Sequence, residues 1–305
     1  MDQDYPDFQV VVVNDCSWDE SGSYLEEIQP LYSHLKVVTL NEQEKYRHGK
    51  KFALSLGIKA ASHELLLLTD ADCKPVSKNW ISSMVSRYQP STEIVIGYGA
   101  YKKTPGFLNK WIRMDTVFNA IQFLSASLLK STYMGVGRNL SYKKALFFKN
   151  KGFASHSHVM SGDDDLFVNQ TATKSNTAVE LHPESFTESI PRDTFFSWLK
   201  QKKRHMSTGK YYKANHKMKI GAFFLSHLLF YAALIILMVI GCRWEIVVGV
   251  ALVRLLIQMF IFGSCMKKLG EFDILWMVPI FDLIVLFLYP SISISNLLFK
   301  DKTWK

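Results

Sequence analysis

The sequence predicts an α/β domain with a mostly parallel sheet, followed by transmembrane helices. Three observations carry this. Short apolar, β-branched runs alternate with helical spacing over the first part of the chain, acidic residues stand where those runs end, and residues 220–305 are apolar almost throughout.

The elements follow in order. Residues 8–13 (FQVVVV) form a continuous apolar run that stops at Asn14-Asp15, as expected of a strand buried on both faces. Residues 35–40 (LKVVTL) give a second strand, and residues 50–61 have helical spacing. A third strand at 64–69 (ELLLLT) feeds directly into Asp70 and Asp72, and a fourth covers 93–98. Strands alternating with helices imply parallel crossovers, and ligands in such sheets sit beyond the carboxyl ends of the strands. Asp15, Asp70 and Asp72 are therefore expected around one crevice. A helix over 166–173 is expected to begin on the acids Asp163-Asp164-Asp165, whose charge suits a helix N-terminus. No internal repeat or low-complexity stretch interrupts this pattern.

Charge divides the chain further. It has 305 residues, 36 Lys+Arg against 27 Asp+Glu and a formal charge of +9, which excludes a disordered chain or a disulfide-stapled miniprotein. Residues 192–219 alone hold 9 basic side chains and one acid, while residues 1–191 are nearly neutral, at 20 basic and 21 acidic. A basic cluster beside an apolar span reads as a cytoplasmic flank rather than a nucleic-acid surface, so no nucleic-acid partner is expected. Residues 220–241, 246–266 and 274–299 are each long enough to cross a hydrocarbon core, for which about 20 residues suffice. Arg254 and Asp282 fall inside these spans, and pairing between them is expected because a lone intramembrane charge is costly. Lys267 and Lys268 suit a cytoplasmic loop. Lys300, Lys302 and Lys305 also suit cytoplasm, which leaves the third segment either crossing or re-entrant. The expected domains are thus 1–219, soluble, and 220–305, membrane. No signal peptide opens the chain, and Cys16, Cys73, Cys242 and Cys265 form no CxxC pair, which fits a reducing compartment.

Two acidic motifs carry chemistry. Thr69-Asp70-Ala71-Asp72 is a DxD at a strand end, a pattern able to hold a hard divalent cation against diphosphate oxygens; an ordinary turn after a strand is the competing reading. In Ser161-Gly-Asp-Asp-Asp-Leu166, crowding should raise the pKa of at least one carboxylate, as a general base requires. Gln201-Lys-Lys-Arg-His205 reads either as a juxtamembrane basic patch or as a clamp on a departing diphosphate. His156, His158 and His182 match no standard metal spacing, and Gly49-Lys50-Lys51 lacks the rest of a Walker loop.

Taken in sequence, Val13-Asn-Asp-Cys-Ser17, Gly49-Lys50 with Ala53-Leu54 and Gly57, Thr69-Asp-Ala-Asp72, Gly135-Val-Gly-Arg-Asn-Leu-Ser-Tyr142, Gly162-Asp-Asp-Asp-Leu166 and Gln201-Lys-Lys-Arg-His205 resemble the family 2 glycosyltransferases of GT-A fold, of the membrane-bound QxxRW type. The resemblance runs over about residues 5–213. It implies a Rossmann-like GT-A domain and inverting transfer of a sugar from a nucleotide-diphosphate donor, with a UDP-sugar as the first expectation and Mg²⁺ or Mn²⁺ as cofactor. By position, Asp15 matches the acid that reads the base, and Lys50 lies in the donor-site segment. Asp70 matches the first DxD acid, near ribose and metal, and Asp72 the direct metal ligand. Gly137, Arg138 and Asn139 match the segment beside sugar and acceptor. Asp163 matches the base, with Asp164 its close competitor. Gln201, Arg204 and His205 match QxxRW, which contacts the diphosphate and the acceptor channel, although His205 replaces the Trp. The resemblance also implies a further strand and helix ahead of Tyr5-Pro6.

The expected protein is a multi-pass enzyme of the inner (plasma) membrane with a cytoplasmic catalytic domain. Its acceptor would be lipid-linked or a growing glycan, as in polysaccharide biosynthesis. A catalytically inactive relative that keeps the carboxylates, and a small transporter carrying a soluble domain, are the alternatives.

Overall fold

The computed structural model describes residues 1–40, 49–159 and 161–298, so Phe299, Lys300, Lys302 and Lys305 lie outside the described residues. The chain runs β1 (Val10–Asp15), α1 (Ser21–Ile28), β2 (Leu35–Leu40), α2 (Lys50–Ala60), β3 (Leu65–Leu68), β4 (Cys73–Pro75), α3 (Trp80–Val85), β5 (Ile94–Ile96) and β6 (Gly99–Tyr101). There follow α4 (Phe107–Leu128), β7 (Leu140–Lys143), α5 (Lys144–Lys149), α6 (Asp165–Thr171), β8 (Thr177–Val179), β9 (Thr187–Ser189) and α7 (Phe195–Met206). The last helices are α8 (Ala214–Val239), α9 (Trp244–Lys268) and α10 (Val278–Leu298).

Two compact units emerge. The first comprises Met1–Gly99 and Phe123–Ser189. In it β1 pairs parallel with β2, and a second sheet has the order β3-β7-β5-β8. The expected alternation is present, but the mostly parallel direction is not: β7 runs antiparallel to both β3 and β5, and only β5 with β8 is parallel in that sheet. The physical reason is the insertion of β7 between β3 and β5 after the long α4, which a periodicity of two residues cannot reveal, since it marks a strand's faces and not its direction. The sheet core is dry. Ile94, Val95, Ile96 and Tyr142 have no exposed surface, and the Trp80–Met84 side of α3 packs on Val95. Tyr142, Phe147, Phe153 and Phe167 stack and tilt against one another at centroid distances of 4.7–6.4 Å, an aromatic cluster that carries α6.

The second unit comprises Ala100–Gln122 and, among the described residues, 190–298. Its extent differs from the composition boundary near residue 219 because the first part of α4 and all of α7 are tied to the apolar helices. Arg113 on α4 pairs with Glu271, and its Nη2 donates to Asp273 Oδ1 at 2.6 Å. Lys202 on α7 is buried between Asp115 Oδ1 at 2.8 Å and the Tyr289 hydroxyl at 2.9 Å. Burial lowers the Lys202 pKa, and the Asp115 carboxylate opposes that shift. One lysine of the basic run at 201–205 is therefore an internal strut and not part of a solvated patch.

Among the described residues three helical segments are long and apolar enough to cross a membrane: Ala214–Val239, Trp244–Lys268 and Phe272–Leu298. The expected pairing is present, with Arg254 Nη1 2.9 Å from Asp282 Oδ2. Tyr231 Oη and Gln258 Nε2 donate to the same carboxylate, each at 2.6 Å. His227 completes the cluster. Its Nδ1 lies 3.0 Å from Arg254 Nη2, which can only donate, and its Nε2 lies 2.9 Å from the Asp282 carbonyl, which can only accept. With those partners Nδ1 accepts and Nε2 donates.

Candidate active site

The site is built in the first unit where β3 ends. The Leu65–Leu68 run delivers Thr69 and the two DxD acids, and the Thr69 hydroxyl donates to the Arg138 carbonyl at 3.1 Å. α2 brings Lys50 in its first turn, and the turn before α6 brings Asp163 and Asp164. Lys50 Nζ lies 2.7 Å from Asp70 Oδ1 and 2.9 Å from Asp163 Oδ2, so one ammonium bridges the DxD strand and the acidic triplet. These residues, with Thr69, Gly137 and Tyr142, line a pocket of about 40 Å³.

Burial works against the Lys50 charge, yet Asp163, Asp70 and Asp164 outweigh it and hold the lysine protonated above its ordinary range. Asp163 is 5% exposed. Burial and then the neighbouring Asp164 push its pKa up, and Lys50 pulls against both. Crowding among the three acids thus acts as expected, and on Asp163.

Asp164 has a different environment. Its Oδ2 accepts from Gly137 N and its Oδ1 from Asp165 N, both at 2.7 Å, so it caps α6 and fastens the 135–139 segment to it. Gly162, at φ +93°, turns the chain immediately before the acids, and a Cβ there would stand 2.5 Å from Leu166 Cδ1. Lys51 Nζ donates to the carbonyls of His156 and Val159 at 2.7 and 2.8 Å, holding the loop that leads to this turn. Burial lowers its pKa to about 8, against the pull of the nearby acids.

Asp70, Asp72 and Cys73 offer ligand atoms that all lie within 4.8 Å of one another. Two carboxylate oxygens converging at a strand end suit a hard divalent cation, so these residues fit the metal that the DxD pattern implies. Cys73 is not among the ligands that the DxD pattern implies. Its adjacency to Asp72 was visible, but only the fold turns its sulfur toward the acids.

The other expected residues lie as follows. Asn139 is 1% exposed and fully engaged: its Oδ1 accepts from Trp80 Nε1 at 3.1 Å, and its Nδ2 donates to the Tyr98 and Ser185 carbonyls at 3.0 and 2.7 Å. It braces the sheet and offers no free polar atom to an acceptor. Arg138 Nη1 donates to Ser189 Oγ at 3.1 Å. Asp15 ends β1, in the β1–β2 sheet, and is not among the residues lining the Lys50 pocket. Gln201, Arg204 and His205 lie on α7, in the second unit.

Gly97 is the hinge of the Asn139 brace. A Cβ there would come within 2.4 Å of Asn139 Nδ2. Gly97→Ala is therefore expected to destabilise the protein by about 1–3 kcal/mol, read as a lowered thermal midpoint in detergent. An unchanged midpoint would show that the brace yields.

Known proteins similar to this chain include glycosyltransferases of the same mixed α/β architecture. Residues 1–151, just under half of the chain, match the model of "Glycosyl transferase family 2". The mannosyltransferase PcManGT of Pyrobaculum calidifontis, solved with GDP-Man and Mn²⁺, is similar over 98% of this chain and 81% of its own, with a TM-score of 0.58 and 18% identity. That likeness is one of fold, and the fold is GT-A. A protein of Haemophilus influenzae described as an uncharacterized glycosyltransferase is 30% identical over 103 residues, which cover 33% of this chain and 29% of that relative's length.

Proposed function

We propose that this chain transfers a sugar from a nucleotide-diphosphate donor to an acceptor hydroxyl, with inversion at the anomeric carbon. The observation that supports this best is the Lys50–Asp70–Asp163 arrangement, in which a buried carboxylate of raised pKa faces the end of the DxD strand across one ammonium. Asp163 takes the proton from the acceptor hydroxyl as the bond to the sugar forms, and the nucleotide diphosphate departs from the opposite side with its bonding pair. Lys50, 2.9 Å from Asp163, opposes the upward shift that burial gives that carboxylate and adds positive charge on the donor side. Asp164 positions: it holds Gly137 and the start of α6 so that Asp163 is presented in one orientation. Asp70 and Asp72 would hold Mg²⁺ or Mn²⁺, which when bound supplies charge neutralisation for the diphosphate. In this reading Asp15 contacts the base, and the roles of Gln201, Arg204 and His205 stay as the resemblance gives them.

The three apolar helices and the basic residues at 192–219 support a multi-pass membrane protein whose catalytic residues face the cytoplasm, with a lipid-linked or glycan acceptor. The division into a catalytic part, 1–219, and a membrane part, 220–305, is proposed in the same functional sense.

The test is titration of nucleotide sugars, UDP- and GDP-linked, with and without Mn²⁺. Wild type should bind one of them in a metal-dependent way, and Asp72→Ala should lose the metal dependence while retaining the wild-type melting profile. An absence of donor binding under all conditions would favour the inactive alternative.

A further inference from the structure

The third apolar segment, Phe272–Leu298, is held near both ends by residues that lie outside the apolar segments. At its start, Glu271 pairs with Arg113 of α4, and Lys103 Nζ donates to the Gly270 carbonyl at 2.7 Å and to Asp273 Oδ1 at 2.8 Å. Toward its end, the Tyr289 hydroxyl accepts from Lys202 Nζ of α7 at 2.9 Å and donates to Asp115 Oδ1 of α4 at 2.8 Å. Two turns on, Asn296 Nδ2 donates to the Lys203 carbonyl, again on α7, at 2.9 Å. Neither α4, with Lys110, Arg113 and Asp115, nor α7, with Lys200, Lys202, Lys203 and Arg204, is among the segments apolar enough to cross a membrane.

α8 begins at Ala214, just after α7, and so measures depth from the membrane surface on which α7 lies. His227 and Tyr231 of α8 meet Asp282, whereas Phe224, nearer the start of α8, meets Tyr289 at a ring distance of 5.4 Å. Between Asp282 and Tyr289 the third segment therefore travels back toward the α7 surface. A third crossing would travel the other way, from the Lys267–Lys268 end of α9 toward the levels of Val239 and Trp244. Phe118 of α4 sets the same level: its ring lies 5.5–6.3 Å from those of Phe223, Phe262, Phe281 and Tyr289. Phe223 is in the first half of α8 and Phe262 in the last third of α9, so Phe281 and Tyr289 are held on the α7 side of both.

We propose that Phe272–Leu298 does not cross the bilayer but is re-entrant: it dips into the leaflet on the α7 side and returns to the same surface, leaving α8 and α9 as the two crossings. The partner of its outer face is the acyl chains of that one leaflet. Ile280, Leu283, Phe287, Ile294 and Leu297 are each about half exposed or more, at steps of three, four, seven and three residues that keep them on one side of a helix. Protein covers the opposite side: 39% of the segment's most apolar stretch is buried, against 6% in α8 and 11% in α9. Charge agrees, because Lys267–Lys268 and the basic residues from 300 onward both favour cytoplasm, and a third crossing would set them apart. The inference is separate from the proposed reaction and rests only on α8 and α9 crossing a bilayer.

The experiment places an epitope tag ahead of Met1, in the turn at Gly241 or after Lys305 of the full chain, and adds protease outside sealed vesicles of known orientation. The tag after Lys305 should be lost together with the one ahead of Met1, while the Gly241 tag survives until detergent opens the vesicles. In vesicles of the opposite orientation the Gly241 tag alone should be lost. Native Cys242, exposed in that turn, gives the same reading with an impermeant maleimide if the inserted tag disturbs folding. Loss of the Lys305 tag together with the Gly241 tag would make the segment a third crossing and overturn the proposal. Loss of all three from one side would remove the two crossings on which it rests and overturn it as well. Titration of nucleotide sugars on the same proteins reads the proposed reaction independently, since a chain that binds no donor still places its tags.

Discussion

Asp163→Asn is expected to lower turnover by about 10²–10⁴-fold, the usual contribution of a positioned general base, while donor binding and melting temperature stay near wild type. The reason lies in how differently the neighbouring acids are used. Asp163 makes an ion pair with Lys50, and Lys50 retains Asp70 at 2.7 Å when that charge is removed, so the amide replacement leaves no ammonium stranded. Asp164→Asn should behave otherwise. Both Asp164 oxygens accept backbone N–H groups, from Gly137 and Asp165, and an asparagine can replace only one of them. The unsatisfied donor should cost about 1–3 kcal/mol of stability, and turnover should fall through misplacement of the 135–139 segment. The pH profile separates the roles further. A base must be unprotonated to act, so activity should rise with pH through the Asp163 pKa, and burial beside Asp164 places that limb above the ordinary carboxylate range. If turnover survives in Asp163→Asn and disappears in Asp164→Asn with no loss of stability, the base is Asp164.

How much of this was legible before the fold was known depends on the range of the interaction. Residues 35–40 read as a strand and form β2 with the same bounds, because a buried strand's composition is a local property. The DxD at the end of β3 was legible for the same reason. The β7 strand at Leu140–Lys143 was not. It carries Ser141 and Lys143 and owes its place to pairing with two strands distant in sequence. The bridge from Lys50 to Asp163 spans 113 positions, and no pattern in either segment announces it. Lys202 was hidden by its neighbours, since a lysine among Lys203 and Arg204 reads as solvated until Asp115 is found against it. Resemblance supplied roles for Asn139 and Asp164, but only geometry shows that the side chains of both are occupied in bracing. Arg254 and Asp282 are the counterexample: 28 positions apart, they were paired from sequence alone because hydrocarbon leaves two lone charges so few alternatives.

That pair gives the second large effect. Asp282→Ala should destabilise the helical unit by about 3–5 kcal/mol, since it leaves Arg254 in an apolar setting without its carboxylate. Neutral hydrogen bonds between membrane helices average well under 1 kcal/mol, so a loss of this size would identify the charge and not the hydrogen bonds as the main contributor. Arg254→Ala should be milder. The Asp282 carboxylate would keep the Tyr231 hydroxyl and Gln258 Nε2, each at 2.6 Å, whereas in Asp282→Ala the guanidinium keeps no carboxylate at all. The double variant Asp282→Ala/Arg254→Ala should recover much of what Asp282→Ala loses, because it removes the stranded charge together with its cause. Thermal unfolding of the four proteins in one detergent measures the cycle. Indifference to both single changes would mean that the cluster contributes nothing to holding α8, α9 and α10 together. Equal losses in the two singles, with no recovery in the double, would place the contribution in packing around Tyr231 and His227 and not in the ion pair.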